Sequence, residues 1–269
     1  MTAALQVRKL SVSYGGVHAV VDVDLEVKPG QLVGLIGPNG AGKTTFIDAI
    51  SGFVRCRGEV LLDGQDITAL PSHARARLGL ARTWQSVQLF DDLTVEQNLV
   101  VASHHPTFWD GVRETLGRAH PPGDVVTGAL ALLGLEGLAT RMPDALSQGQ
   151  RKLVGVARAL AQAPHVVCLD EPAAGLDTDE SLRLGGHLRE VVDSGTPMLL
   201  VDHDMGLMLS ICDEVVVLNF GEVIARGAPR DVWKDPTVVE AYLGASAADA
   251  TVHSGELTTP TQTNPRRSS

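Results

Sequence analysis

The stretch "GPNGAGKT", Gly37 to Thr44, constrains this chain more than any other. It satisfies the pattern G-x-x-x-x-G-K-S/T in full. Its flanks are "LVGLI", an apolar run of strand character, and "KTTFIDAI", a helical one. A strand that turns through glycines into a helix leaves successive backbone N–H groups pointing into the helix mouth. Those donors and the positive end of the helix dipole form a cradle for phosphate. In such a loop the Lys43 ammonium bridges β- and γ-phosphates and the Thr44 hydroxyl reaches Mg²⁺. The segment implies a nucleotide site.

Around that loop the texture of the chain changes twice. The opening third reads as strands broken by glycine turns: "LQVRKLSVSY" alternates in part, "AVVDVDLEV" more clearly, and "GEVLLDGQDI" reads as a hairpin. From Ser72 to about Leu146 strand signals are few. There "TVEQNLVVASHH" opens on a capping box, Thr94 with Gln97, and "VVTGALALLGLEGL" is helical despite Gly128 and Gly134. After Ser147 helix and strand alternate: "QRKLVGVARALAQA" before "HVVCLD", "DESLRLGGHLREVVDSG" before "PMLLVD", and "MGLMLSICD" before the strand "EVVVLNFGEVIARG". That order predicts an α/β fold with a largely parallel sheet, a β-rich N-terminal part and a mostly helical insertion. The closing "SAADATVHSGELTTPTQTNPRRSS" holds almost no large apolar residue, so residues 246–269 are expected to be a disordered tail behind a domain spanning 1–245.

Composition narrows the function classes. At 269 residues with 44% hydrophobic content, the chain can bury a full core as one large or two small domains. Its formal net charge of -10 disfavours nucleic acid and a polybasic lipid anchor. No apolar run is long enough to span a bilayer. The start, "MTAALQVRKL", lacks the apolar core of a signal peptide, which predicts a cytosolic protein. Cys56, Cys168 and Cys212 are far apart and read as buried free thiols. His104 and His105 lack metal-ligand partners at a recognisable spacing and read as surface.

Two apolar strands end in acid. "VVCLDEP" places Asp170 and Glu171 at a strand's C-terminal end, the edge outside which open α/β sheets bind ligands. Neighbours on a strand face opposite ways, so the two carboxylates suit different tasks. Asp170 suits Mg²⁺, and Glu171 can point at a water in line with the γ-phosphate. "LLVDHDM" repeats the arrangement with Asp202, His203 and Asp204, and His203 can donate to a phosphate oxygen or orient a water.

With these pieces in order, the chain resembles the ATP-binding subunit of an ABC transporter, from Leu5 to about Leu243. "GPNGAGKT" is similar to the Walker A loop, "LSQGQ" to the signature motif, "VVCLDE" to Walker B with its catalytic glutamate, and "AAGLD" to the D-loop. The stretches "ARTWQSVQLFDDLTVEQNLVVASHH", "LSQGQRKL", "LDEPAAGLD", "DHDM" and "EAYLG" resemble more narrowly the LivG-like subunits of branched-chain amino acid importers. Importers of urea and short amides share much of this pattern.

The resemblance implies a P-loop NTPase core of RecA type, with an N-terminal antiparallel β subdomain and a helical subdomain at about 86–150. It implies ATP and Mg²⁺ as cofactors. Tyr14 would stack on adenine. Gly37, Pro38, Asn39, Gly40, Ala41, Gly42, Lys43, Thr44 and Thr45 would hold the phosphates, and Thr44, Gln85 and Asp170 the metal. Glu171, His203, Lys43 and Gln85 would carry the chemistry, with Gln85 also coupling the site to the membrane partner.

The signature answers a separate question, because one nucleotide does not need two anion-binding helix mouths from one chain. In the family, two subunits pair head to tail, so Ser147, Gly149 and Asp177 would meet the nucleotide of the partner subunit. The partners implied are transmembrane permease subunits, a second ATP-binding subunit and, indirectly, a solute-binding protein outside the cell. Such a subunit sits at the cytoplasmic face of the membrane through its permeases.

The insertion after Gln85, with Phe90, Phe108 and Trp109, is the expected permease surface, although a core place for Phe90 is left open. Four positions depart from the pattern. Gln148 stands where glycine is commonest, Trp84 where phenylalanine is usual, Asp202 in place of glutamate and Asp177 in place of asparagine. A soluble ABC protein acting on ribosomes or DNA is the alternative of another class. One phosphate loop, no heptad arms and an acidic balance speak against it.

Overall fold

The computed structural model describes residues 3–86, 88–103 and 123–243, so His104, His105, Phe108, Trp109 and the expected tail at 246–269 lie outside the described residues. Strands β1 (Leu5–Tyr14) and β2 (Val17–Val27) pair antiparallel, with Leu5 opposite Val27 and Tyr14 opposite Val17. Register shifts between Val7 and Leu10, beside the left-handed Lys9, explain why the alternation read in β1 is only partial. The other edge of β1 takes β4 (Arg57–Leu62) and then the two-residue β5 (Gln65–Asp66), giving the order β2-β1-β4-β5.

The second sheet has the order β10-β9-β3-β8-β7-β6. Strands β3 (Leu32–Ile36), β6 (Leu80–Arg82), β7 (Val166–Asp170), β8 (Met198–Val201) and β9 (Glu214–Asn219) run parallel, and β10 (Glu222–Gly227) closes one edge antiparallel. Every residue of β3, β7 and β8 is buried, as expected for strands covered on both faces. Val33, Leu35, Cys168 and Val201 share one core with helix α1 (Lys43–Ile50) and the first sheet. Leu32, Ile36, Leu169 and Leu200 face the other core, which the later helices build. Helix α1 thus starts at the phosphate loop and runs between the two sheets. Its far end is closed by the buried Arg75 of α2 (Ser72–Arg77), which donates to the carbonyls of Ala49 and Ile50 at 2.8 and 2.7 Å.

Helices α3 (Val95–Ser103), α4 (Asp124–Leu132) and α5 (Gln148–Leu160) pack on one another. The Thr94–Gln97 capping box forms reciprocally, at 2.9 and 3.3 Å. The fully buried Asn98 then pins the loop ahead of α3 through the backbone of Phe90, Leu93 and Thr94. Helices α6 (Thr178–Asp193), α7 (Met205–Ile211) and α8 (Pro229–Val232) follow, with a last helix at 236–243.

Four local readings change. The region after Ser72 contains β6, a sheet strand of three residues that is too short to show a period. Helix α4 ends at Leu132, because Gly134 takes φ +62 and turns the chain. The run "EVVVLNFGEVIARG" is two antiparallel strands, which fold back at Phe220 and Gly221 with φ values of 45 and 83. All three cysteines are free, but only Cys168 is buried, while Cys56 and Cys212 are partly exposed.

Candidate active site

The phosphate loop is held open by contacts that exclude side chains. A Cβ on Gly42, at φ +103, would lie 2.4 Å from the carbonyl oxygen of Ala19, and one on Gly37 would lie 2.2 Å from that of Leu218. The Gly221 N–H donates to the Ala41 carbonyl at 2.9 Å, so the β9–β10 turn props the loop from behind. Asn39 to Thr45 line a cavity of about 370 Å³ together with Val17, His18, Ala19, Glu171 and Phe220. Lys43 is only 7% exposed and donates to the carbonyls of Gly37 and Pro38 at 2.6 and 3.0 Å. Burial holds its pKa below the ordinary lysine value, against the opposing pull of Glu171, Asp202 and Asp170. Tyr14 is 51% exposed and sits across the β1–β2 turn from Val17.

The acidic edge lies at the ends of β7 and β8. Glu171 follows β7 with φ +45, a left-handed conformation uncommon for a residue with a Cβ, and its N–H donates to the Val201 carbonyl at 2.7 Å. Its carboxylate accepts from Gln85 Nε2 at 2.6 Å. His203 Nδ1 is 3.9 Å from the same carboxylate, beyond hydrogen-bond reach. Asp170, the last residue of β7, accepts from Arg82 Nη2 at 2.9 Å. Lys43, Glu171, Gln85, His203 and Asp170 therefore converge, as the sequence led one to expect of a phosphate loop and two acidic strand ends.

The signature turn lies elsewhere. Ser147 caps α5 and forms a capping box with Gln150, at 3.2 and 2.9 Å. Neither Ser147, Gly149 nor Asp177 lines the cavity of the phosphate loop. Asp177 caps α6, accepting from the Glu180 N–H at 2.8 Å. Gln148 lies over Gly175, where a Cβ would be 2.6 Å from its Nε2.

Comparison with known proteins decides the family. The family described as "ABC transporter" matches residues 20–174, and one described as "Branched-chain amino acid ATP-binding cassette transporter" matches residues 222–248. The chain is 38% identical to the high-affinity branched-chain amino acid transport ATP-binding protein BraF of Pseudomonas aeruginosa, over 89% of this chain and 97% of that protein. It is 37% identical to LivG of Escherichia coli strain K12, with the same shares covered. It belongs to the ABC transporter ATP-binding family.

This ABC ATPase is also 36% identical to the lipopolysaccharide export system ATP-binding protein LptB of Escherichia coli strain K12, over 90% of this chain and 98% of that protein. Its fold matches the solved ADP conformation of an ABC transporter's ATP-binding cassette. The TM-score is 0.79 at 30% identity, over 91% of this chain and 100% of that one. The α/β core with its N-terminal antiparallel sheet and helical part is thus the ABC ATPase fold, and the chain is an ATP-binding, ATP-hydrolysing subunit.

Two polar residues of this ABC ATPase, Arg82 and Lys152, escaped the motif reading. Arg82 bridges Asp48 and Asp170, at 2.6 and 2.9 Å. Lys152, buried on α5, donates to the carbonyls of Gln85 and Glu171 at 3.1 and 3.3 Å. Its only signal in the sequence was a cation at an inward position of an otherwise apolar helix face.

Asp202, at 0% exposure, accepts from the N–H groups of His203, Asp204 and Ala173 at 2.7, 3.0 and 3.2 Å. It ties the turn after β8 to the turn after β7. Replacing it with alanine leaves three backbone donors, of which that of Ala173 is buried, without their carboxylate, so Asp202→Ala is expected to lower unfolding free energy by about 1–3 kcal/mol. Urea denaturation measures this. A change within error would mean that water replaces the carboxylate.

Proposed function

We propose that this ABC ATPase drives import of branched-chain amino acids as one half of a head-to-tail pair. The observation that carries the pairing is the separation of its two anion-binding helix mouths. Asn39 to Thr45 line one cavity, while Ser147 and Gly149 open α5 outside it. A nucleotide held by the first mouth is then free to be capped by the second mouth of another subunit. ATP brings the charge and acceptors that join the halves, and hydrolysis removes the bridging γ-phosphate.

In this reading Tyr14 stacks on the adenine. Gly37 to Thr45 cradle the phosphates. Glu171 orients the attacking water, held in place by Gln85, and Lys43 and His203 stabilise charge on the transferring group. The residues present also fit Mg²⁺. Thr44, Gln85 and Asp170 offer hard oxygen donors, and an ion that keeps several waters and binds nucleotide oxygens needs few from the protein. When bound, it would neutralise charge on the β- and γ-phosphate oxygens.

Partner and cargo are further steps. A groove of about 660 Å³ beside β6 is lined by Trp84, Phe90, Arg158 and their neighbours. Phe90 is exposed rather than in the core, with the Arg158 guanidinium 5.2 Å from its ring centre. Exposed aromatics with arginine suit a permease interface. No helix among the described residues is long and apolar enough to cross a membrane. The permease would hold the subunit at the cytoplasmic face, with a solute-binding protein delivering cargo from outside. The names of BraF and LivG and the match at 222–248 favour branched-chain amino acids. The similar identity to LptB means that the ATPase core alone does not choose the cargo.

The pairing is tested with cysteines at Asn39 and Ser147 in a chain whose Cys56, Cys168 and Cys212 are replaced. ATP-dependent disulfide between two protomers is the expected result, and none forming in ATP-saturated protein would overturn it. For cargo, proteoliposomes with the permeases and binding protein encoded nearby should take up leucine, isoleucine or valine when ATP is supplied. Uptake of urea or short amides in their place would overturn the amino-acid assignment and leave the motor intact.

A further inference from the structure

Arg82 is placed to connect the acidic edge with the groove. It is the last residue of β6, and its side chain is 6% exposed. One arm of the guanidinium donates to Asp48 of α1 at 2.6 Å and the other to Asp170 at 2.9 Å. Its flat face lies 4.2 Å from the ring centre of Trp84 and 5.7 Å from that of Phe53. Trp84 is half-exposed and meets Phe53 edge-on, with ring centres 4.9 Å apart. Arg82 and Trp84 both line the groove of about 660 Å³. The backbone reinforces the link, because Thr83, between them, accepts from the Asp170 N–H at 3.3 Å and donates its own N–H to the Cys168 carbonyl at 2.9 Å.

We infer that Arg82 is a positioning residue that transmits the state of Asp170 to the groove wall through the Trp84 stack. The inference rests on the reading of Asp170 as the metal-side carboxylate and of the groove as the permease surface. Two positive centres cannot share one buried carboxylate without strong repulsion, so a divalent cation that draws on Asp170 weakens its bond to Arg82. Arg82 is not orphaned by this, because Asp48 holds its other arm. Its Nε, buried and without a partner among the described residues, leaves the fork a donor to spare. A planar guanidinium that pivots on Asp48 must slide across the Trp84 ring, which a lysine could not imitate. Linkage makes the effect reciprocal: an occupant that fixes Trp84 biases the affinity for the metal–nucleotide complex.

The test uses Trp84 as the reporter, in full-length protein with Trp109 and Trp233 changed to phenylalanine. Emission and acrylamide quenching are read with ATP in EDTA, with ATP and Mg²⁺, and with Mg²⁺ alone, and nucleotide occupancy is checked separately in each. The expected result is a shift of Trp84 emission on adding Mg²⁺ to the ATP complex, and none with Mg²⁺ alone. Asp170→Asn should abolish the shift while ATP still binds in EDTA, and Arg82→Lys should flatten it while Mn²⁺, followed by electron paramagnetic resonance, still binds with ATP. Identical emission from the two ATP-loaded states would overturn the role of Arg82. So would a full shift surviving in Arg82→Lys. Mn²⁺ affinity unchanged in Asp170→Asn would instead remove Asp170 from the metal site, a failure of the underlying reading that the first two outcomes do not mimic.

Discussion

Replacing Glu171 with glutamine is expected to leave ATP binding intact while hydrolysis falls by about 10²–10⁴-fold, the usual range for losing a positioned proton-accepting group. The substitution keeps the volume of the side chain, and the new amide oxygen can still accept from Gln85 Nε2, now 2.6 Å from the carboxylate. The backbone geometry should survive as well. The left-handed turn at Glu171 is fixed by its N–H on the Val201 carbonyl and by Lys152 on its own carbonyl, and neither contact involves the side chain. What is lost is the negative charge that orients and polarises a water. ATP should then bind, close two subunits and stay. Single-turnover hydrolysis combined with size-exclusion chromatography in ATP reads both effects. Turnover like that of the wild type would take Glu171 out of the chemistry.

Lys43→Met is the second large effect, and it acts at an earlier step. The ammonium is buried against the Gly37 and Pro38 carbonyls, with Glu171, Asp202 and Asp170 nearby. Methionine matches the length of the side chain but supplies no donor. Losing charge-assisted bonds worth about 1.5–3 kcal/mol should weaken ATP binding by roughly 10–100-fold and slow hydrolysis further. Stability should move differently. Burial lowers the pKa of Lys43, so the folded state disfavours its charged form. A lysine with a depressed pKa costs stability below that value, and the cost is relieved as pH rises toward the ordinary value of 10.5. At neutral pH the Lys43→Met protein should therefore be at least as stable as the wild type in urea. Nucleotide titration and urea denaturation of the same sample separate the two. Loss of binding together with early unfolding would mean that the lysine is structural.

The sequence by itself determined the parts whose geometry is local. A glycine loop between strand and helix, a serine three residues ahead of Gln150, and a strand ending in Asp170 and Glu171 each depend on a window of a few residues. The backbone conformations they require are written in those residue types. The order of helices and strands after Ser147 was legible for the same reason, since a period of two or of 3.6 survives without any partner. β6 was not, because three residues show no period, and with it went the place of Arg82.

What only the tertiary structure decided is which charges meet. Arg82 and Asp170 are 88 positions apart, Arg82 and Asp48 are 34 apart, and Gln85 and Glu171 are 86 apart. They touch because β6 pairs with β7 at the edge of the sheet while α1 runs beneath it. The buried carboxylate of Asp202 belongs to the same class, since its neighbour Ala173 arrives from a different strand end. Hydrogen bonds and ion pairs act over about 3 Å, and the chain carries no local mark of a partner that strand order alone brings that close.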